Sequence, residues 1–336
     1  MKIKQPNFWY AKSLHPLAYF LLPFSCLFGF IIAIRRRFYQ SRFYKIRKFA
    51  MPLIVVGNIT IGGTGKTPFV IWLAHFLRAQ GYQPGIVSRG VGGRQQIMPR
   101  QVSVDDKVAE VGDEALLLLA NANCPVVIGV DRVKAVEYLL QQNACDVVIS
   151  DDGLQHYRLA RSFEIVMVDA ERGLGNQCLL PAGPLREPVH RLDQADMVIY
   201  TGGVFPQTNS AAFAMTLTPM HCISLNDAKR SMTFAELRQP VHAVAGIGHP
   251  QRFFRALKQA GLKIEEHVFP DHHLYQAADF AGLSSCPILM TEKDAVKCRD
   301  FSDERFWYSA VKTTVDAGVE QVLLNKLREW SEGNEK

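Results

Sequence analysis

The chain has 336 residues, of which 48% are hydrophobic and 21% charged, so it can bury a large core and is neither disordered nor fibrous. Its formal charge of +6 suits an anionic partner but does not choose among nucleic acid, acidic lipid and phosphorylated substrate. The seven cysteines include no C-x-x-C pair, which speaks against a zinc site or a disulfide framework and favours a reducing compartment.

An uncharged apolar segment, residues 16–34, is long enough as a helix to cover most of a hydrocarbon layer. By the positive-inside rule, the basic residues after it favour an anchor that leaves the rest of the chain in the cytoplasm, against anionic headgroups. A signal peptide and a buried core helix are the alternatives. Whether the segment spans the bilayer stays open, because Pro23 would kink it. The basic flank consists of Arg35, Arg36, Arg37, Arg42, Lys45, Arg47 and Lys48.

The most specific motif is LIVVGNITIGGTGKTP, residues 53–68, in which an apolar strand leads into a glycine-rich loop and then a helix. This context predicts a P-loop that binds ATP. Its three glycines are expected to take positive φ and turn N–H groups onto phosphate oxygens at a helix N-terminus. Lys66 would reach the β- and γ-phosphates, and the Thr67 hydroxyl would ligate Mg²⁺. The predicted nucleotide-binding residues are Thr60, Ile61, Gly62, Gly63, Thr64, Gly65, Lys66 and Thr67.

One position departs from the pattern G-x-x-x-x-G-K-[ST], because Thr60 stands where the first glycine is expected. Either this position has an ordinary backbone geometry or the Thr60 hydroxyl itself approaches a phosphate. Pro68 fits the first turn of a helix, where its missing N–H would have been unpaired.

Beyond residue 50, short apolar runs alternate with helical stretches, which predicts an α/β fold. We expect a P-loop NTPase-like α/β/α domain with a mostly parallel sheet, then a smaller α/β domain after a linker at residues 202–210. The predicted domains are residues 1–50, 51–205 and 206–336. Predicted strands cover residues 53–56, 85–88, 126–130, 147–150, 165–168, 197–200, 242–248, 263–269 and 286–291. Predicted helices cover residues 66–80, 113–121, 132–142, 250–261 and 315–330.

A P-loop protein also needs an acidic residue at the end of a neighbouring strand to hold the metal, directly or through water. The segment CDVVISDDGLQH supplies Asp151 and Asp152 directly after a predicted buried strand, where ligands bind in open α/β sheets. A solvated turn is the alternative, and the sequence does not choose between the two aspartates. Gln155 and His156 follow in the same loop and can be either supporting or plain structural residues.

Phosphoryl transfer to an alcohol requires a group that accepts the hydroxyl proton. Asp113, in VGDEALLLL, is a candidate, although an N-cap role would also explain an aspartate there. The cluster Asp271, His272 and His273 follows a predicted strand and is a second candidate; a metal held by both histidines is disfavoured, since adjacent side chains of an extended chain point apart. Arg132 and Arg186 would contact phosphates or lie on the surface.

Seven motifs follow the apolar segment in order: TIGGTGKTP, VGDE, SDDGLQH, LPAGPLREP, AGIGHPQRFF, FPDHH and LMTEKDAVK. Together they resemble the tetraacyldisaccharide 4'-kinase family of the lipid A pathway, over nearly the whole chain. The resemblance implies transfer of the ATP γ-phosphate to the 4'-hydroxyl of a tetraacyldisaccharide 1-phosphate, giving lipid IVA at the cytoplasmic face of a bacterial inner membrane. That lipid partner is acylated and anionic, which would explain the apolar segment and its basic flank. No nucleic acid and no protein partner is implied.

The resemblance also implies roles for individual residues. Asp113 matches the catalytic carboxylate, and His272 matches the partner that raises its basicity and fixes its orientation. Asp151 and Asp152 match the acidic pair of the metal site. Because Asp113 and His272 fall in different predicted domains, domain closure is expected. The predicted catalytic residues are Asp113, His272, Lys66, Arg186 and Arg132.

Two other functions compete with this interpretation. A membrane-associated P-loop ATPase that uses nucleotide as a conformational switch would need no base for an acceptor. A nucleic-acid-binding module is disfavoured, because the basic residues cluster beside the apolar segment without interleaved aromatic side chains.

Overall fold

The computed structural model describes residues 6–11, 13–41, 43–94, 98–203 and 211–334. Arg42 of the basic flank therefore lies outside the described residues, as do residues 204–210 of the predicted linker. The helices are α1 (Pro16–Gln40), α2 (Lys66–Ala79), α3 (Val108–Val111), α4 (Asp113–Ala122), α5 (Arg132–Gln142), α6 (Pro250–Gln259), α7 (Glu292–Ala295) and α8 (Ala317–Asn334). The strands are β1 (Leu53–Gly57), β2 (Pro84–Ser88), β3 (Arg100–Gln101), β4 (Val126–Ile128), β5 (Val147–Asp151), β6 (Phe163–Asp169), β7 (Met197–Thr201), β8 (Ala211–Ser224), β9 (Ser231–Met232), β10 (Val241–Ala245), β11 (Ile264–Val268), β12 (Ile288–Thr291) and β13 (Phe306–Val315).

Alternate residues of β1 face opposite sides of the sheet, which explains why this strand is apolar throughout. Ile54 and Val56 belong to a core that includes the α2 face, whereas Leu53 and Val55 belong to a second core that includes α5. The N-terminal half is therefore covered by helices on both faces, which confirms the predicted α/β/α arrangement.

The strands form one continuous sheet in the order β11-β10-β12-β13-β8-β7-β6-β1-β5-β2-β4-β3, with β9 paired to β8. β1 lies between β5 and β6 and is parallel to both. The long strand β8 is parallel to β7 of the first half and antiparallel to β13 of the second. The second half is thus an extension of the same sheet through β8, and the proposed boundary at residues 205–206 falls just before that strand.

Helix α1 is long and apolar enough to cross a membrane, and most of its apolar segment is exposed. It runs unbroken through Pro23 and includes Arg35, Arg36 and Arg37, so it continues six residues beyond the predicted segment to Gln40. The exposed large apolar side chains of α1 are Leu17, Tyr19, Phe20, Phe24, Leu27, Phe30, Ile31, Ile34 and Phe38.

One side of α1 rests on the loop that follows β6. Ser25 is buried, its hydroxyl donates to the Leu179 carbonyl at 2.8 Å, and it accepts from the Ala182 N–H at 3.0 Å. At its C-terminal end, Arg35 donates to the Gln155 carbonyl at 3.3 Å. These contacts hold the exposed apolar helix against the loops beside β1.

The secondary structure departs from the sequence predictions at several places, including the short elements α3, α7, β3 and β9, which were not predicted. β8 and β13 were not predicted, because their alternating exposure interrupts any apolar run. The C-terminal helix begins at Ala317, since Val315 is the last residue of β13. Strand β4 ends at Ile128, two residues before the predicted end.

Candidate active site

The predicted P-loop connects β1 to α2, which begins at Lys66 as expected. Gly62 has φ of 117° and Gly65 has φ of 80°, so both need the freedom of glycine. The expectation for Gly63 is wrong, since its φ is not positive. A Cβ on Gly248 would lie 2.7 Å from the Gly63 nitrogen, so the backbone of the second half approaches the loop closely here.

The loop LPAGPLREP supports the P-loop from the side. Thr60 forms an antiparallel bridge with Leu185, so this position has an extended conformation that needs no glycine. The Ile61 N–H donates to the Pro184 carbonyl at 2.8 Å, and the Arg186 N–H donates to the Ile59 carbonyl at 2.6 Å. The proline-rich motif thereby fixes the P-loop and brings the Arg186 side chain to the same site.

Asp151 and Asp152 lie at the carboxyl end of β5, as predicted, and differ sharply in environment. Asp152 Oδ1 lies 3.4 Å from Lys66 Nζ, and its Oδ2 lies 3.5 Å from the Arg186 guanidinium. Burial would raise the pKa of Asp152, but the charges of Lys66 and Arg186 outweigh it and lower the pKa to about 2. Asp152 is therefore ionised. It forms ion pairs with both Lys66 and Arg186, the two cations that are predicted to contact phosphate groups.

Asp151 is fully buried, and its pKa is raised by burial and then by the negative charges of Glu114 and Asp152. Its Oδ1 has no hydrogen-bond partner among the described residues, and the same holds for the hydroxyl of Thr64 in the P-loop. Buried oxygens without partners, one of them on a carboxyl beside two further carboxylates, suit a hard cation such as Mg²⁺. The residues present therefore fit the predicted metal.

Arg132 is not on the surface, because only 1% of it is exposed. Its guanidinium donates to the backbone carbonyls of Gly129 and Asp151, the latter at 3.3 Å. Burial, its largest influence, lowers its pKa to about 10, so it stays charged. Through these contacts Arg132 supports the backbone of the Asp151–Asp152 turn.

The structure brings Asp113 and His272 together, although 159 positions separate them in the chain. Asp113 is the first residue of α4, and His272 Nδ1 lies 2.9 Å from its Oδ1 and 3.0 Å from its Oδ2. Burial raises the pKa of Asp113, but the hydrogen bond to His272 and nearby lysines outweigh it and lower the pKa. Burial lowers the pKa of His272, and the hydrogen bond to Asp113 reverses this and raises it. The two side chains stabilise each other's charged forms. His272 therefore fixes the orientation of Asp113 but lowers its basicity, so the expectation that it raises the basicity is wrong.

Two lysines of the motif LMTEKDAVK complete this cluster and were not predicted. Lys293 Nζ lies 3.0 Å from Glu114 Oε1 and 4.0 Å from Asp113 Oδ2. Lys297 Nζ lies 3.8 Å from the same Asp113 oxygen and 2.6 Å from Asp294 Oδ1. The spacing of four between the lysines was the available signal, since it places both side chains on one side of a helical turn.

The other candidate residues lie near the site with structural contacts. His273 Nε2 is 3.0 Å from Asp279 Oδ2, so it points away from the His272 contact, as expected for adjacent residues. The Gln155 amide donates to the Asn58 carbonyl at 3.2 Å and so supports the start of the P-loop. His156 is neutral at physiological pH, because burial lowers its pKa to about 4.

A cavity of about 180 Å³ lies where the C-terminal part of α1 meets the body. Three arginines line it, with Asp131 as the carboxylate among the lining residues; Asp131 pairs with Arg158 at 3.1 Å. The cavity therefore has a net positive lining close to the apolar helix. Its lining includes Arg35, Tyr39, Asp131, Arg132, His156, Tyr157 and Arg158.

Residues 17–328 match a protein-family model described as tetraacyldisaccharide-1-P 4'-kinase. The chain is 46% identical over 321 residues to the tetraacyldisaccharide 4'-kinase of Methylobacillus flagellatus, covering 95% of this chain and 94% of that protein. It is 46% identical over 330 residues to the enzyme of the same name from Shewanella sp. strain MR-4, covering 98% and 96%. A crystal structure of LpxK from Aquifex aeolicus in complex with ATP has a TM-score of 0.78 and 30% sequence identity, covering 93% of this chain and 99% of that one.

Proposed function

Since the chain belongs to the tetraacyldisaccharide-1-phosphate 4'-kinase family, we infer that it transfers the γ-phosphate of ATP to the 4'-hydroxyl of a tetraacyldisaccharide 1-phosphate. The product is lipid IVA, in lipid A biosynthesis. The further assignments of residues, metal and membrane contact below are proposals that rest on the geometry.

The P-loop of residues 60–67 is proposed to hold the ATP phosphates. Its N–H groups and the N-terminus of α2 supply partial positive charge, and Lys66 lies within reach of the same space as Arg186. Asp151 and Thr67 are the proposed Mg²⁺ ligands, with Asp152 beside them. The bound metal would neutralise charge on the β- and γ-phosphates. Arg132 is proposed to act as a positioning residue, because it binds the backbone of Asp151.

The contact between Asp113 and His272 is the observation that carries the transfer chemistry. A carboxylate that is ionised at neutral pH and held through both oxygens is a suitable acceptor for the proton of the 4'-hydroxyl. His272 Nδ1–H would fix its orientation and balance its charge. Glu114, next in the chain, contributes to raising the pKa of Asp151, so the proposed base and metal site are electrostatically one site.

The acceptor is proposed to reach this site from a membrane. The exposed apolar side chains of α1 offer a surface for acyl chains and the bilayer, and the basic residues after them suit anionic headgroups. The positively lined cavity at the base of α1 is a suitable place for the acceptor's 1-phosphate. The charge distribution supports location at the cytoplasmic face of the inner membrane.

The decisive experiment is transfer of labelled phosphate from ATP to the acylated disaccharide 1-phosphate in detergent micelles. The wild-type chain is expected to label the lipid. Asp113→Asn keeps the shape of the side chain but removes its basicity, so transfer should fall by about 10²–10⁴-fold. Exposed Asp105 provides the matched control, and Asp105→Asn should retain transfer.

Two results would contradict the proposal. Wild-type protein that hydrolyses ATP without labelling the lipid would identify a nucleotide switch and not a kinase. Full transfer by Asp113→Asn would leave the kinase activity standing but would reject Asp113 as its base.

A further inference from the structure

Three side chains on the outermost strands of the second half converge at a point away from the ATP site. They are His242 on β10 and Glu265 and His267 on β11, and their nearest ligand atoms lie within 4.8 Å of one another. No other such group of histidine, cysteine and carboxylate ligands is found within the described ranges. The cluster plays no part in the phosphate chemistry above.

The parallel register of the two strands places these residues together. His242 pairs with Glu265, and His267 is two residues further along β11, so all three side chains project from the same face. His242 and Glu265 each occupy the second position of their strand. Gly248, which lies close to Gly63 of the P-loop, comes just after the carboxyl end of β10. The cluster lies at the amino end of β10 and is therefore separated from the active site by the length of that strand.

The distances correspond to the edges of a tetrahedral coordination site. His242 Nδ1 lies 3.1 Å from His267 Nε2 and 3.2 Å from Glu265 Oε2, and His267 Nε2 lies 3.7 Å from Glu265 Oε1. Zinc bound at about 2.0–2.1 Å by nitrogen and oxygen in a tetrahedron requires ligand separations of about 3.3–3.4 Å. The two histidines face different oxygens of Glu265, but one ligand atom from each of the three residues lies within 4.8 Å of the others, so modest side-chain movements would let them share one ion.

The buried member of the cluster is already oriented for ligation. His242 is 5% exposed, and its Nε2 lies 2.8 Å from the Ser284 hydroxyl. A ligating histidine commonly donates its other ring N–H to such a partner, which leaves the facing nitrogen free for the metal.

We propose that His242, Glu265 and His267 form a binding site for a divalent transition metal, with Zn²⁺ as the best match. Two imidazoles and one carboxylate are typical zinc ligands, whereas Mg²⁺ and Ca²⁺ prefer oxygen ligands throughout. The fourth position is open to water. The ion would join the sheet-edge strand β11 to β10, and β11 leads directly into the Asp271–His272 segment.

The test is a Zn²⁺ titration of the full-length, tag-free chain in detergent, after chelator treatment and in excess Mg²⁺ to occupy carboxylate sites. Calorimetry should show one tight equivalent in the wild type that is lost in His267→Ala and in Glu265→Gln. Ser284→Ala should keep the equivalent with an affinity about tenfold weaker. His190→Ala is the matched control, because His190 is exposed and distant in the chain; it should bind as the wild type does.

Two further readouts do not depend on activity. Zn²⁺ should raise the unfolding temperature of the wild type but not of Glu265→Gln, because a ligand that binds only the folded state stabilises it. Co²⁺ should give the visible absorption of a tetrahedral nitrogen and oxygen site in the wild type alone. Glu265 is an exposed residue, so Glu265→Gln tests the site even if His267→Ala fails to fold. Equal stoichiometry in wild type and both variants, or no tight equivalent in the wild type, would overturn the proposal.

Discussion

The charge of Asp113 depends on three side chains from two distant segments of the chain. His272 follows β11, Lys293 lies on α7, and Lys297 follows α7. Burial alone would favour the protonated carboxyl, and a protonated carboxyl cannot accept the hydroxyl proton. The lysines therefore extend the proposed base's working range toward acidic pH.

This dependence predicts a shifted pH–rate profile for Lys293→Gln. Without the positive charge 4.0 Å from Asp113, the pKa of the carboxyl should rise. Since the base must be deprotonated, the acidic limb of kcat/KM should move up by about one pH unit, with recovery at higher pH. Profiles of wild type and variant measure this directly, and exposed Lys312→Gln is the control. An acidic limb that stays in place would show that Lys293 does not set the charge of Asp113.

Sequence patterns identified residues of this site where neighbouring residues in the chain form a recognisable motif. Lys66 and the P-loop glycines are read from a strand, a loop and a helix in succession, and Asp151 from the strand before it. Lys293 carries a weaker signal, its spacing of four from Lys297, because surface lysines at such spacing usually lie in solvent. Its importance arises from the carboxylates of Glu114 and Asp271, which the fold brings to it from distant segments.

At the scale of single elements, α1 has two unlike sides. Ser25 forms hydrogen bonds with the loop after β6, while Phe20 and Phe30 are 72% and 63% exposed. A large apolar surface of this kind on a helix is typical of contact with a membrane. The anchor and its docking contact can therefore be tested separately.

The double variant Phe20→Glu/Phe30→Glu is expected to leave the membrane. Each change removes an apolar contribution of about 1.5–3 kcal/mol and adds a charge, so partitioning into anionic vesicles should fall more than tenfold. Co-sedimentation with vesicles measures the bound fraction. Ser25→Ala alters only the docking side and should sediment with the vesicles. If the double variant sediments as the wild type does, the exposed face of α1 is not the anchor.

Elements buried on both sides were predicted well. β1, β5 and β7 are buried along their whole length, and each begins with at least three consecutive apolar residues. β8 and β13 escaped prediction, because exposed and buried side chains are mixed along them and their antiparallel pairing with each other joins distant parts of the chain. The formation of such strands depends more on packing against each other than on their own amino-acid composition.

At the scale of the whole molecule, the two halves meet closely beside the P-loop. A Cβ on Gly248 would lie 2.7 Å from the Gly63 nitrogen, and the Gly248 carbonyl accepts from Arg172 at 2.6 Å. The sequence predicted two domains and closure between them. The structure has a continuous sheet and a close backbone contact, which no local pattern reveals; the domain boundary remains a proposal.

Gly248→Ala should disturb this contact without straining its own φ. The added methyl must push the second half away from the P-loop, and misplacement by about 1 Å can cost about 10²-fold in rate. We expect kcat/KM for ATP to fall by about 10–100-fold with little change in unfolding temperature. Gly282→Ala is the control, because a Cβ there meets nothing within 4 Å. Unchanged kinetics would show that the approach at Gly248 does not position the nucleotide.

The pairing of β8 with β13 also constrains how the chain can be made. β8 ends at Ser224, but β13 begins only at Phe306, so a ribosome must add about eighty residues before the two strands can join. During that interval both β8 and β12 present open edges that can recruit other chains. Premature termination just before Phe306 would therefore yield an aggregating fragment, because it removes β13 together with α8 and leaves both edges open.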